Sequence, residues 1–133
     1  AFVEPDAAFK RGFLRLLDKG KGIVALHHAI AGWPAWEDYA ELLGGRFLYK
    51  PGVLRGAPRM DSGYRHEVTH EIAAVARHPV LDGVPERFTL KDELYLSEVF
   101  EDSVTPLLRS DYAFERDNFY SAAQAVAGKM FSN

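Results

Sequence analysis

Apolar and polar positions along the chain repeat with two different periods. Phe9, Phe13, Leu16 and Leu17 recur at helical spacing, while Lys10, Arg11, Arg15 and Asp18 occupy the other face. Pro5-Asp6 supplies a helix start with Asp6 as N-cap, and Gly20 or Gly22 supplies the stop. A short, wholly apolar run follows, Gly22-Ile23-Val24-Ala25-Leu26, and it ends on His27-His28. Runs of this length bounded by turn residues read as strands buried on both faces. The pattern therefore predicts a central parallel strand over residues 22–27, with His28 at its carboxyl end. Gly32-Trp33-Pro34 opens a second helix, with Pro34 at the first helical position and Glu37 and Asp38 in the first turn. Trp36, Tyr39, Ala40 and Leu43 form its apolar stripe, and Gly44-Gly45 ends it. Helix, buried strand, helix is a βαβ rhythm.

The second half changes period. Residues 50–63 are rich in Gly, Pro and Arg and read as a long loop. From Tyr64 to Ile72 the alternation is two-residue, which predicts a strand with Tyr64, His66, Val68, His70 and Ile72 on one face. His78-Pro79 and Asp82-Gly83 mark turns. Residues 88–99 and 104–108 read as further short strands, with Pro106 favouring an edge position in the last. The Ala-rich stretch 118–130 reads as a helix. Residues 1–133 are thus expected to form most of a single α/β domain. No strand precedes residue 22 and the chain closes on a helix, so segments are expected to be missing at both ends of a doubly wound sheet.

Composition narrows the chemistry. At 133 residues, 47% hydrophobic and 26% charged, the chain is an ordinary globular sequence. The formal charge is −3, with 16 basic and 19 acidic residues and no Lys/Arg run, so nucleic acid and anionic membranes are not expected partners. No run reaches membrane-spanning length. There is no cysteine, which removes disulfides, thiolate nucleophiles and Cys-ligated metals. A cytoplasmic location is the expectation, although an export signal cleaved before residue 1 would leave no trace.

Three constellations carry candidate chemistry. His27 and His28 stand where an α/β protein keeps its ligands, beyond the carboxyl end of a strand; one could instead cap the strand and the other face solvent. His66-Glu67-Val68-Thr69-His70 matches the H-E-x-x-H pattern of zinc peptidases, which requires a helix so that both imidazoles share one face. Val68 and Thr69 are β-branched, and in a strand the two histidines would stand about 13 Å apart at roughly 3.3 Å per residue. They are therefore not expected to share a metal. Asp92-Glu93-Leu94-Tyr95 places adjacent carboxylates on opposite strand faces, so only one can look into a given site. Trp33, Trp36 and Tyr39 could line a sugar-binding face or simply belong to the core.

Taken in order, these residues resemble a known family. Residues 20–28 (Gly-Lys-Gly-Ile-Val-Ala-Leu-His-His), with Trp33, Trp36, Tyr39 and Leu43-Gly44-Gly45-Arg46-Phe47, are similar to the ThuA-like (trehalose utilisation) family. His78-Pro79-Val80, Gly83, Phe88 and Asp92-Glu93-Leu94-Tyr95 resemble its second signature, and residues 107–112 and 118–122 resemble one of its branches. The resemblance implies a flavodoxin-like open, mostly parallel sheet with helices on both faces, in the class I glutamine amidotransferase-like superfamily. The turn that carries the nucleophilic cysteine in amidotransferases would carry His27 and His28 here, so glutamine hydrolysis through a thioester is not expected. What it implies for function is binding or transformation of a carbohydrate derivative. His28, Glu93 and Asp92 would be the catalytic groups, and His27, Trp33, Tyr95 and His78 would contact substrate. A divalent metal such as zinc is a candidate cofactor, a small carbohydrate is the expected partner, and a homo-oligomer is allowed. A zinc peptidase and a non-catalytic sugar-binding or assembly module are the alternatives.

Overall fold

The computed structural model describes residues 3–126. Helix α1 (Ala7–Asp18) starts where the Asp6 carboxylate accepts the Phe9 backbone N–H at 2.7 Å, as the N-cap pattern predicts. No residue of α1 is buried; Phe9 and Phe13 instead meet the rings of Trp33, Trp36 and Tyr39. Helix α2 (Glu37–Leu43) begins three residues after Pro34 and stops at Gly44, whose φ of +73° is the left-handed cap that glycine adopts without penalty.

Between the helices the expected strand is absent. Residues 21–26 form neither helix nor strand, and Val24 and Leu26 are 84% and 74% exposed. A buried strand needs neighbours to take its N–H and C=O groups, and no strand among the described residues lies beside this segment. Its apolar side chains therefore stay in water. A short 3-10 helix, His27–Ala31, follows directly, and His27 has a φ of +48°. The expected central parallel strand over residues 22–27 is thus corrected to an exposed, unpaired segment running into a helical turn.

The strands are β1 (Gly45–Arg46), β2 (Gly52–Leu54), β3 (Ala57–Arg59), β4 (Gly63–Ala74), β5 (Arg87–Leu96), β6 (Glu98–Val99), β7 (Leu108–Ser110) and β8 (Tyr120–Ser121). Every pairing among the described residues is antiparallel: β1 with β6, β2 with β3, and β4 with β5, β7 and β8. The chain therefore mixes helix and strand, but the mostly parallel flavodoxin-like sheet expected from the resemblance is not what these strands build. The reason is connectivity. β4 returns to β5 through residues 75–86, which hold only a 3-10 turn at Pro79–Leu81, and a parallel return requires a long crossover.

Residues 50–63, expected as a loop, contain the β2–β3 hairpin. Its two central residues, Arg55 and Gly56, have φ of +49° and +74°, the geometry of a tight primed turn. The strand expected over 104–108 begins only at Leu108, beyond Pro106, which has no N–H to give a ladder. The Ala-rich helix is present as α3 (Ala122–Val126); residues 120–121 pair with β4 instead, and the predicted continuation to residue 130 lies outside the described residues.

Two small cores hold these pieces. Ala31, Phe47 and Ala122 pack with Ile30, Tyr49 and Tyr95, and Ala40, Leu54 and Phe100 pack with Leu48. Arg46, 2% exposed, has no carboxylate in direct contact among the described residues. Its guanidinium donates to the carbonyls of Gly32, Trp33 and Trp36 at 3.3, 3.1 and 2.7 Å. Together with the Phe47 N–H on the Ile30 carbonyl, at 3.1 Å, this fastens the histidine turn to the strands. No helix among the described residues is long and apolar enough to cross a membrane.

Candidate functional site

The site is built on the β4–β5 ladder. Tyr64 faces Tyr95 and Arg65 faces Leu94, but the next pair is Val68 with Asp92. His66 and Glu67 therefore both stand opposite Glu93, which is a β-bulge. One-residue alternation would put His66, Val68, His70 and Ile72 on a single face. The bulge breaks that: Val68, His70 and Ile72 turn inward and are buried, while Tyr64 and His66 share a side with Glu93 and Tyr95. The expectation of one common face from Tyr64 to Ile72 is corrected accordingly.

Tyr95 is the hub. Its hydroxyl donates to Glu93 Oε2 at 2.6 Å and lies 3.0 Å from His27 Nε2 and 3.4 Å from His28 Nε2. The phenol has one proton, and that proton goes to Glu93. The phenol oxygen can then accept Nε2–H from the imidazoles in one tautomer, while the other tautomer leaves Nε2 free as a ligand atom. His27 Nε2 is also 3.5 Å from Glu93 Oε2, and the other Glu93 oxygen lies 3.2 Å from His66 Nδ1. Burial, then the hydrogen bond and charge of Glu93, push the Tyr95 phenol well above its ordinary range. Tyr95 therefore remains a proton donor at every ordinary pH.

A cavity of about 170 Å³ opens beside this cluster, lined by His28, Ile30, Ala31, Phe47, Tyr49, Tyr64, Glu93 and Tyr95. Its walls are largely apolar and aromatic and include the polar groups of His28, Glu93 and Tyr95, the usual composition of a small-molecule site. His27, His28 and Glu93 each offer one ligand atom, and these atoms lie within 4.8 Å of one another. Two imidazoles and a carboxylate suit a divalent ion such as zinc, so the residues present fit the candidate metal.

Of the residues singled out in the sequence, the structure brings His27, His28, Glu93 and Tyr95 together. Asp92 is not among them: it is exposed and its carboxylate accepts the Glu93 backbone N–H at 2.7 Å. Trp33 is spent on the aromatic cluster with Phe9, Phe13, Trp36 and Tyr39. His78 accepts the Val80 N–H at 3.2 Å, heading a 3-10 turn, and lines a separate cavity with Arg77, Asp82 and Glu86. His66 and His70 lie on a strand, not a helix, and diverge. His66 reaches Glu93, whereas His70 is buried with Nδ1 2.7 Å from Ser110 Oγ. Phe47, Tyr49, Tyr64 and His66 are site residues that the spacing did not mark as such. The signal for two of them was present: Tyr64 and His66 alternate opposite Tyr95 and Glu93 once the two strands are put in register.

A family model for trehalose utilisation, ThuA, matches residues 4–132. The chain belongs to the ThuA family. Every member of the cluster and of the cavity wall falls inside the matched span of this ThuA domain. No curated protein and no solved structure gives a significant match.

Proposed function

We propose that this ThuA domain serves carbohydrate utilisation by binding one sugar ring of an uncharged, trehalose-type carbohydrate derivative in the aromatic cavity and acting on it with the His28–Glu93–Tyr95 cluster. One observation carries the reading: two histidines, a carboxylate and a phenol converge beside a cavity walled by Phe47, Tyr49 and Tyr64. Aromatic faces pack against the C–H faces of a sugar, and hydroxyl groups need donors and acceptors side by side at one end. Among the described residues the cavity wall has no Lys or Arg and one acidic residue, which disfavours sugar phosphates and uronic acids.

The chemistry follows from the contacts. Glu93 can accept a proton from a sugar hydroxyl or an activated C–H. Tyr95 keeps its proton and, through its hydrogen bond, keeps Glu93 oriented. His28, at the cavity wall, serves as base or metal ligand near neutral pH. His27, His28 and Glu93 would hold a divalent ion, which supplies Lewis-acid polarisation of a sugar oxygen when bound.

The test is titration calorimetry of the chain with trehalose, with glucose and with their oxidised derivatives, run with and without Zn²⁺, for the native protein and for His28→Ala and Glu93→Gln. Binding lost by about tenfold or more in both variants, with unchanged far-UV spectra, supports the reading. Full binding and turnover in both would make these residues structural. Binding that survives with no turnover of any sugar would leave a sugar-binding module.

A further inference from the structure

Glu93 has a neighbour at each oxygen: a hydrogen bond from Tyr95 at one, and the His66 imidazole at ion-pair distance from the other. Oε2 takes the Tyr95 proton at 2.6 Å, while Oε1 faces His66 Nδ1 at 3.2 Å. The carboxylate's side chain is 17% exposed and His66's is 63% exposed, so the imidazole covers the carboxylate from the solvent side.

His66 is there because of an irregularity that the fold does not need for pairing alone. Arg65 pairs with Leu94 and Val68 with Asp92, so His66 and Glu67 share one partner, Glu93. Glu67 takes up the extra residue with a φ of +55°, a left-handed conformation that a side chain with a β-carbon adopts reluctantly. Glu67 gains little in return, since its contact is a 3.3 Å ion pair with Lys91 between exposed groups. Bulges of this kind re-aim side chains beside active sites. This one lets His66 face Glu93 while Val68, His70 and Ile72 are buried on the other side.

We propose that His66 is a positioning residue: it pins Oε1 of Glu93 so that Oε2 stays on Tyr95 and, through Tyr95, on His27 and His28. A carboxylate held at one oxygen swings about its last two torsions; held at both, its plane is fixed. Second partners of this kind orient metal-binding and catalytic carboxylates. The proposal rests on the reading of Glu93 as a functional group, but its structural part stands apart from any ligand.

The experiment compares His66→Ala and His66→Gln in the full chain. Glutamine keeps an N–H donor within reach of Oε1, and alanine does not. Crystal structures of the two variants are expected to show the Glu93 carboxylate rotated off Tyr95 in His66→Ala and retained in His66→Gln. Zn²⁺ affinity by calorimetry is expected to fall about tenfold in His66→Ala and to recover to within about threefold of native in His66→Gln. An unmoved Glu93 carboxylate in His66→Ala overturns the proposal. So do equal losses of affinity in both variants with Glu93 in place, which would make the imidazole itself a ligand. If the native chain binds no zinc, the metal part of the functional reading falls, while the Glu93 geometry in the two variants still decides the role of His66.

Discussion

A single proton on Tyr95 organises the site. It lies on a 2.6 Å hydrogen bond to Glu93, and the phenol oxygen behind it is left to accept from His27 and His28. Tyr95→Phe keeps the ring against Phe47 and removes only that proton and oxygen. The variant is expected to lose about 1–2 kcal/mol of stability at neutral pH, because Glu93 is left mostly buried without its donor. The pH dependence follows from the sign of the shift. Burial first, and then Glu93, raise the folded phenol above its ordinary 10.0, so its contribution is complete below that pH and fades as pH rises through the higher folded value. Native protein should therefore lose melting temperature more steeply above pH 10 than Tyr95→Phe. A tyrosinate absorbance titration should show the variant missing a late step. If the variant instead lacks a tyrosine titrating near 10, the hydrogen bond to Glu93 is not formed in solution. Tyr39, also raised by burial, stays as an internal late-titrating control.

At the scale of the elements, what could be read in advance was what is decided locally. Asp6 caps α1 with its own side chain and Gly44 ends α2 with its own φ, so both boundaries are written in neighbouring residues. Glu93 and Tyr95, two apart on a strand, share a face by period alone, which made half the site legible. The rest depends on partners distant in sequence. Residues 22–26 carry a strand's composition, yet being a strand depends on a neighbour to pair with. The bulge at His66-Glu67 leaves no mark on a strictly alternating sequence, so the divergence of His66 from His70 was unreadable until β5 was in register. Arg55-Gly56 is a weaker hairpin signal than Asn-Gly, which hid β2 and β3. The contrast over 22–26 can be measured. With Val24 84% and Leu26 74% exposed, Val24→Thr and Leu26→Thr should each change unfolding free energy by no more than about 0.5 kcal/mol. In a buried central strand the same changes would cost several times that, and chemical denaturation separates the two cases. Asp61 offers the opposite case, a short segment that holds three others. Its carboxylate, 8% exposed, takes the Arg116 guanidinium at 3.0 Å, the Ser121 hydroxyl at 2.5 Å and the Ala123 N–H at 3.1 Å. Burial opposes ionisation there, but these donors outweigh it and hold the carboxyl below its ordinary 3.8. That stability is present above pH 3.8 and lost as pH falls through the lower folded value. Asp61→Asn should cost about 2–3 kcal/mol at neutral pH and flatten the acid limb of the stability curve. An acid limb identical to native would show that the clasp does not form.

Across the described residues, the densest run of buried positions is 31–47, and β4 adds Val68, His70 and Ile72, while helix α1 is held by little besides rings. α1 buries no residue and meets the rest through Phe9 and Phe13 on Trp33, Trp36 and Tyr39. β4, by contrast, is paired on both sides, with β5 along one edge and with β7 and β8 along the other. Stability should be distributed accordingly. Native-state hydrogen exchange is expected to be slowest at the β4 amides from Val68 to Ile72 and orders of magnitude faster in α1, which opens without the sheet. Phe13 is the place to test this, because its ring touches all three aromatics that α1 leans on. Phe13→Ala should bring α1 amides close to the unprotected limit while leaving β4 protection, and the site formed by Glu93, Tyr95 and His66 on the β4–β5 ladder, unchanged. If Phe13→Ala instead lowers protection equally in α1 and β4, the chain unfolds as one cooperative unit and the helix is integral to it. The site's two halves differ in the same way: Glu93 and Tyr95 ride on the stable ladder, while His27 and His28 arrive on a turn fed by the exposed segment and tied down by Arg46 and Phe47. Arg46→Met, which removes the three carbonyl bonds but keeps an apolar stem, should therefore raise exchange at residues 27–31 with little change in β4, releasing the histidines rather than altering Glu93.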